Sequence, residues 1–302
     1  MTLFNVLAYV EPVAGLMIAI VATLIATRRR GAETGRRRIV AAAATLLAIA
    51  ILILWRRWMF WPWFSPSVFG WDGPFPVQLV AYLLPLTLAV ALVVVLAWPT
   101  TGGGRGRATL EPRGLSTVVR PWWVVGGALV IVAWLGLALA AGFASRPDPR
   151  DGHYTYYEVR PAREYAGGTT IYGWYFSIPS AIAVGILLAL TVVALILIAR
   201  SRLRGIPEDR VTRLHRSRNV VAVTAGALAF LLGGVLRSLS GTASTTMSFA
   251  TDTAGPVTVV SPFAALGPAL GVSSQIVVAL GFALWWFVAL AALRARRLPV
   301  AE

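Results

Sequence analysis

Residues Tyr175 to Arg204 read YFSIPSAIAVGILLALTVVALILIARSRLR. No side chain from Tyr175 to Ala199 carries a charge, and Arg200, Arg202 and Arg204 follow at once. A helix rises about 1.5 Å per residue and needs about 20 apolar residues to cross about 30 Å of hydrocarbon, so this stretch is long enough to span a bilayer and ends in an interfacial basic cluster. The same grammar recurs along the chain. Long apolar runs lie at Phe4 to Ala26, Ile39 to Trp55, Val77 to Trp98, Trp122 to Ala144, Asn219 to Leu236 and Val272 to Leu293. Together they predict an all-α polytopic membrane protein, with residues 1–302 forming a single transmembrane domain of seven helices.

Composition agrees and narrows the chemistry. Of 302 residues 58% are hydrophobic and 13% charged, about half the charged fraction of a soluble domain. All 27 basic residues are Arg. Without Lys there is no Schiff base to retinal or pyridoxal phosphate, and without Cys no disulfide, thiolate nucleophile or thiolate metal site. His153 and His215 fall on opposite sides of the predicted bilayer and cannot share a metal ion or haem. No HExxH, G-x-S-x-G or dinucleotide fingerprint occurs. The Gly run in TTGGGRGRATLEPRG lacks the Lys and the preceding strand of a phosphate loop and reads as a linker. No catalytic, cofactor-binding or metal residue is expected, and the chain reads as no enzyme.

Arg placement sets orientation. Twenty of the 27 arginines fall in the first, third and fifth loops and the C-terminal tail. Five acids accompany them, Glu33, Glu111, Glu208, Asp209 and Glu302, so this side carries the whole net charge of +15. Basic loops face the cytoplasm, which puts the C-terminus inside and the N-terminus outside, in the plasma membrane. The first span is expected to remain as an anchor, because no positive charge precedes its apolar run while Arg28, Arg29 and Arg30 follow it. The basic face should attract anionic lipid headgroups. Its division among short loops argues against nucleic acid. Within the fifth loop, Pro207, Glu208 and Asp209 look like the start of a short amphipathic helix, a headgroup-lying segment or a docking element for a cytoplasmic partner through Arg210, Arg213 and Arg216.

The outer loops differ in kind. RRWMFWPWFSPSVFGWDGPFPVQ gathers Trp58, Trp61, Trp63 and Trp71 near Arg56 and Arg57, as an aromatic belt with snorkelling arginines or as an outer aromatic platform. In the second loop HYTYYEV and TTIYGWYF flank the turn-rich PAREYAGG, which predicts a small outer β-hairpin. The third loop turns from Ser/Thr-rich to apolar; residues 257–270 suit an interfacial or re-entrant segment or a loose linker.

Within the membrane, Glu11 stands out. A carboxylate in an apolar span is costly and turns toward protein or water, and Pro12 beside it frees a backbone carbonyl. Arg237, ending the sixth span on the same side, is the expected partner, as a structural clamp ahead of a transport or proton site. Gln78, Tyr82, Ser177, Ser180 and Gln275 are expected to bond between helices.

From Ile171 to Arg237, IYGWYFSIPSAIAVGILLALTVVALILIAR, a basic loop with LHRSR and a further apolar span resemble uncharacterised multi-spanning membrane proteins of high-GC Gram-positive bacteria. The resemblance covers about a fifth of the chain and implies no activity for any residue; the all-Arg usage fits a GC-rich genome. The expected function is a non-enzymatic membrane subunit of a transport-type complex. A self-contained small-solute transporter is the alternative, then an outer-face sensor or scaffold.

Overall fold

A computed structural model describes residues 3–25, 35–59, 75–98, 121–162, 165–200, 206–251 and 255–293. Seven α-helices run through them: α1 (Leu3–Ile25), α2 (Gly35–Met59), α3 (Phe75–Ala97), α4 (Pro121–Ala144), α5 (Trp174–Arg200), α6 (Ile206–Ala243) and α7 (Gly267–Leu293). Among the described residues α2 to α7 are long and apolar enough to cross a membrane, and α1 adds a shorter apolar stretch, Val10–Ile25. Successive helices run up and down. One end of the bundle carries two small antiparallel sheets, β1 (Arg146–Pro147), β2 (Tyr154–Ala162) and β3 (Tyr165–Thr170), and β4 (Thr246–Thr251) with β5 (Gly255–Val260). This is the sheet end; Arg37, Arg213 and Arg216 lie at the other, the Arg-rich end.

The bundle is built around α6. Its apolar window is 83% buried, against 17% to 39% for the other five, so α6 is the one helix enclosed on all sides. It packs on α3, α4, α5 and α7, while α7 also receives α1 and α2. Small residues allow the close crossings, as expected where hydrocarbon on both sides leaves packing and hydrogen bonds to select the partner. On α6, Val223, Gly226, Phe230, Gly233 and Arg237 recur at alternating spacings of three and four, which places them on one stripe, the stripe that faces α7. The missing side chain of Gly226 admits the buried Trp285, whose indole N–H donates to the Val223 carbonyl at 3.0 Å. The Ser274 hydroxyl donates to the Gly233 carbonyl at 2.7 Å. Between them Phe230 meets Phe282 and Trp285 edge to face, at 4.8 and 5.2 Å between ring centres.

On the far side of α7, Gly15 of α1 lies so close that an added Cβ would stand 2.6 Å from Phe282 Cβ and 2.8 Å from the Ala279 carbonyl oxygen. The outward faces are apolar. On α4 only Trp134, Ala138, Ala141 and Gly142 are buried, while Val124, Leu129, Val132 and Phe143 among others lie bare, the inverse of a soluble helix and the pattern that hydrocarbon covers.

Several expectations require correction. The sixth helix is not confined to 219–236, nor is the segment after Pro207 a separate amphipathic helix, because α6 runs unbroken from Ile206 to Ala243. Its arginines find carbonyl partners on neighbouring helix ends, so the chain has no reason to turn at the interface. α2 likewise extends beyond 39–55 and takes in Arg37, Arg38, Arg56 and Arg57. The second loop does form a hairpin, but TTIYGWYF supplies only Thr169 and Thr170 to β3, since Trp174 already opens α5. A third strand, β1, pairs with β2. Residues 257–270 are not a loose linker: β5, a turn, a short 3-10 segment at Ala264–Leu266 and the start of α7 account for them. The apolar alternation there serves pairing with β4, register Ser248 to Thr258.

Replacing Gly15 by Val should lower the unfolding midpoint in mild detergent, at a cost of about 1–3 kcal/mol. Gly136→Val, where an added Cβ meets nothing within 4 Å, should leave it unchanged. Equal midpoints for the two variants would contradict the α1–α7 crossing.

Candidate functional site

Glu11 sits one helical turn before Gly15, so the residue that lets α1 approach α7 also directs the carboxylate to the same face. Arg237 closes the α7-facing stripe of α6. On α2, Thr45, Ile49 and Leu52 are buried at spacings of four and three, and Arg56 continues that stripe. The three stripes meet at the sheet end. Glu11, 3% exposed, accepts from Arg56 Nη2 on Oε2 at 2.5 Å and from Arg237 Nη2 on Oε1 at 3.2 Å. One carboxylate thereby joins three helices, each oxygen holding a different guanidinium.

The two cations are unequal. The side chain of Arg56 is 20% exposed and that of Arg237 43%, and the bond to Arg56 is the shorter. Arg56 is therefore the principal counter-ion and Arg237 the looser, more exposed one. Sequence reasoning named Glu11 and Arg237, which the structure brings together, and missed Arg56, read as a snorkelling interfacial residue. The signal for it was depth: Arg56 ends an upward helix on the same side as Glu11, close to the level at which a buried carboxylate needs charge.

The other expected platform is only partly in view. Trp58 falls in the last turn of α2, with its side chain outside the description, and Trp61, Trp63 and Trp71 lie outside the described residues. A different aromatic group lies under the β1–β3 sheet. Tyr82 of α3 meets Tyr172 edge to face at 4.8 Å and Phe176 at 5.4 Å. The Tyr172 hydroxyl lies beside Ser180 and Trp134, and burial pushes this phenol above the ordinary tyrosine range. Ser177 and Ser180 are buried in the same region. Lower in the bundle the Thr191 and Thr224 hydroxyls lie 2.7 Å apart between α5 and α6; one donates to the other, which in turn donates to the carbonyl four residues back on its own helix.

At the Arg-rich end, guanidinium groups cap helices. Arg37 at the start of α2 donates to the Leu96 and Trp98 carbonyls at 2.9 Å each. Arg216 of α6 reaches the Leu96, Ala97 and Trp98 carbonyls at 3.4, 3.3 and 3.2 Å. Arg213 donates to Ala199 at the end of α5 at 3.2 Å. These carbonyls belong to helix C-termini, which carry partial negative charge and need donors. Arg216, 3% exposed, is thus turned into the fold instead of outward on a docking surface, and Arg213 is part-buried; the Arg210 side chain lies outside the described residues.

Among the described residues no group of three or more His, Asp or Glu side chains could hold a metal ion. Comparison with protein-family models, with curated proteins and with solved structures finds no match to this chain.

The difference between the two cations predicts an order. Arg56→Gln should lower the unfolding midpoint more than Arg237→Gln, with about 1–3 kcal/mol lost for the more buried partner, the partial exposure of both keeping the loss below that of a fully buried pair. Circular dichroism melts in detergent would check this, and the reverse order would contradict the assignment.

Proposed function

We propose that the chain is a multi-pass protein of the plasma membrane, crossing it seven times with the N-terminus outside and the C-terminus inside, and that it serves as a non-enzymatic membrane subunit of a transport-type assembly. The observation that carries this reading is the use of Glu11. Glu11 lies within an apolar helix and is engaged by guanidinium groups from two other helices, so it joins elements together. The buried hydroxyls of Thr23 and Thr45 bond back to their own helices. Such an interior favours a scaffold that holds its shape while a partner supplies the chemistry or the energy. On this reading the Arg-rich end faces the cytoplasm and the sheets face outward, and a cytoplasmic partner docks around Arg210 and the exposed rim of Arg213.

A self-contained small-solute transporter is the second reading. It is favoured by the pairing of guanidinium groups on α2 and α6 at both ends of the bundle, Arg56 with Arg237 and Arg37 with Arg216, which would select an anion.

Two measurements separate these readings. Reporter fusions should place residue 1 and the loop near Asp151 outside and residue 302 inside. Purification of the tagged chain from its own membranes in mild detergent should recover a stoichiometric protein partner, and the isolated chain in vesicles should move no anion. Anion uptake by the isolated chain would favour the second reading, and both termini in one compartment would overturn the topology.

A further inference from the structure

Beneath the β1–β3 sheet lie four buried polar groups that direct hydrogen bonds leave unsatisfied. Tyr172 and Ser180 are 0% exposed, Trp134 and Ser177 4%. Among the described residues the Tyr172, Ser177 and Ser180 hydroxyls and the Trp134 indole N–H have no hydrogen-bond partner. A hydroxyl in a helix ordinarily bonds back to a carbonyl three or four residues earlier, as those of Thr23 and Thr45 do. Ser177 and Ser180 make no such bond, and their spacing of three puts them on one face of α5. The Tyr172 hydroxyl lies beside Ser180 and Trp134, close to both yet out of bonding geometry with either. Tyr172 is also held in place. The Ile171 N–H before it donates to the Thr155 carbonyl at 2.8 Å, and a Cβ added at Gly173 after it would overlap the Tyr154 carbonyl oxygen, so the chain is pressed against β2 on both sides. Its ring is wedged between those of Tyr82 and Phe176, at 4.8 and 6.1 Å between centres.

We propose that this junction is a binding site for one internal water molecule, seated on the Tyr172 and Ser180 hydroxyls and the Trp134 indole N–H. The water ties the passage from β3 into α5 to the neighbouring helix α4. An indole N–H only donates, whereas water has two lone pairs and two protons: it accepts from Trp134 and from one hydroxyl and donates to the other. That gives it about three bonds, the usual number for a buried water. None of the four groups carries charge, so nothing in the site compensates an ion and its ligand is neutral. Enclosure on every side favours a molecule of the size of water over a larger hydroxylic solute. In an apolar bundle such a bridge removes the cost of leaving each group unpaired. The site is the same whichever face of the protein is cytoplasmic.

An experimental map of the full chain, purified without glycerol and at a resolution that shows ordered waters, tests the site. It should contain a single peak at about 2.5–3.2 Å from Tyr172 Oη, Ser180 Oγ and Trp134 Nε1. Ser180→Val, which puts a methyl group where the hydroxyl was, should lose the peak. Gly185→Ala on the same helix, where an added Cβ meets nothing within 4 Å, should keep it. A peak that survives Ser180→Val unchanged would overturn the seat. If that variant does not fold, the wild-type map decides alone: Tyr172 bonded directly to Ser180 or Trp134, with no peak between them, would overturn the site. Density larger than one oxygen that appears only when glycerol is present during purification would identify a solute hydroxyl and overturn the assignment to water.

Discussion

A carboxylate inside an apolar bundle needs a cation, and Glu11 takes two. That requirement fixes relations that apolar packing alone leaves loose. Sliding or rotating α1 against α7 by one residue would turn Glu11 out of reach of Arg56 and Arg237, so the ion cluster sets the register of α1, α2 and α6 together. Gly15, one turn along, sets the separation. Charge and close approach thus come from the same face of the same helix.

The two ends of the bundle obey different rules. At the sheet end, charge is matched side chain to side chain, as Arg146 and Arg160 both meet Glu158 on the β1–β2 sheet and Glu11 meets its own pair. At the opposite end the descending helices α3 and α5 finish in bare carbonyls, and arginines of the ascending helices α2 and α6 supply the donors. Arg37, Arg213 and Arg216, which sequence reasoning reads for orientation, lipid attraction or docking, are therefore also helix caps. α6 connects the two regimes, with Arg213 and Arg216 at one end and Arg237 at the other, and its enclosure by four other helices explains why a break anywhere along it would be costly.

What the sequence disclosed follows the range of the forces involved. Apolar runs are local, and six of them reappear as helices long enough to cross a membrane. The β2–β3 hairpin was legible because turn residues sit between two β-prone stretches. The β4–β5 hairpin was not seen, although MSFAT and PVTVV alternate, because Ser/Thr-rich composition resembles a linker and pairing is decided by the partner strand. The continuity of α6 was hidden because Arg213 and Arg216 are affordable within a helix only when α5 and α3 end beside them. Arg56 was hidden for the same reason: Glu11 lies 45 positions away in the chain.

The central claim is that Glu11 stabilises the bundle through Arg56 and Arg237. A thermodynamic cycle in detergent measures it by introducing Glu11→Gln first into the wild-type chain and then into Arg56→Gln/Arg237→Gln. The account predicts that the substitution is destabilising in the first background and close to neutral in the second, where no cation is left uncompensated. The same loss in both backgrounds would contradict it.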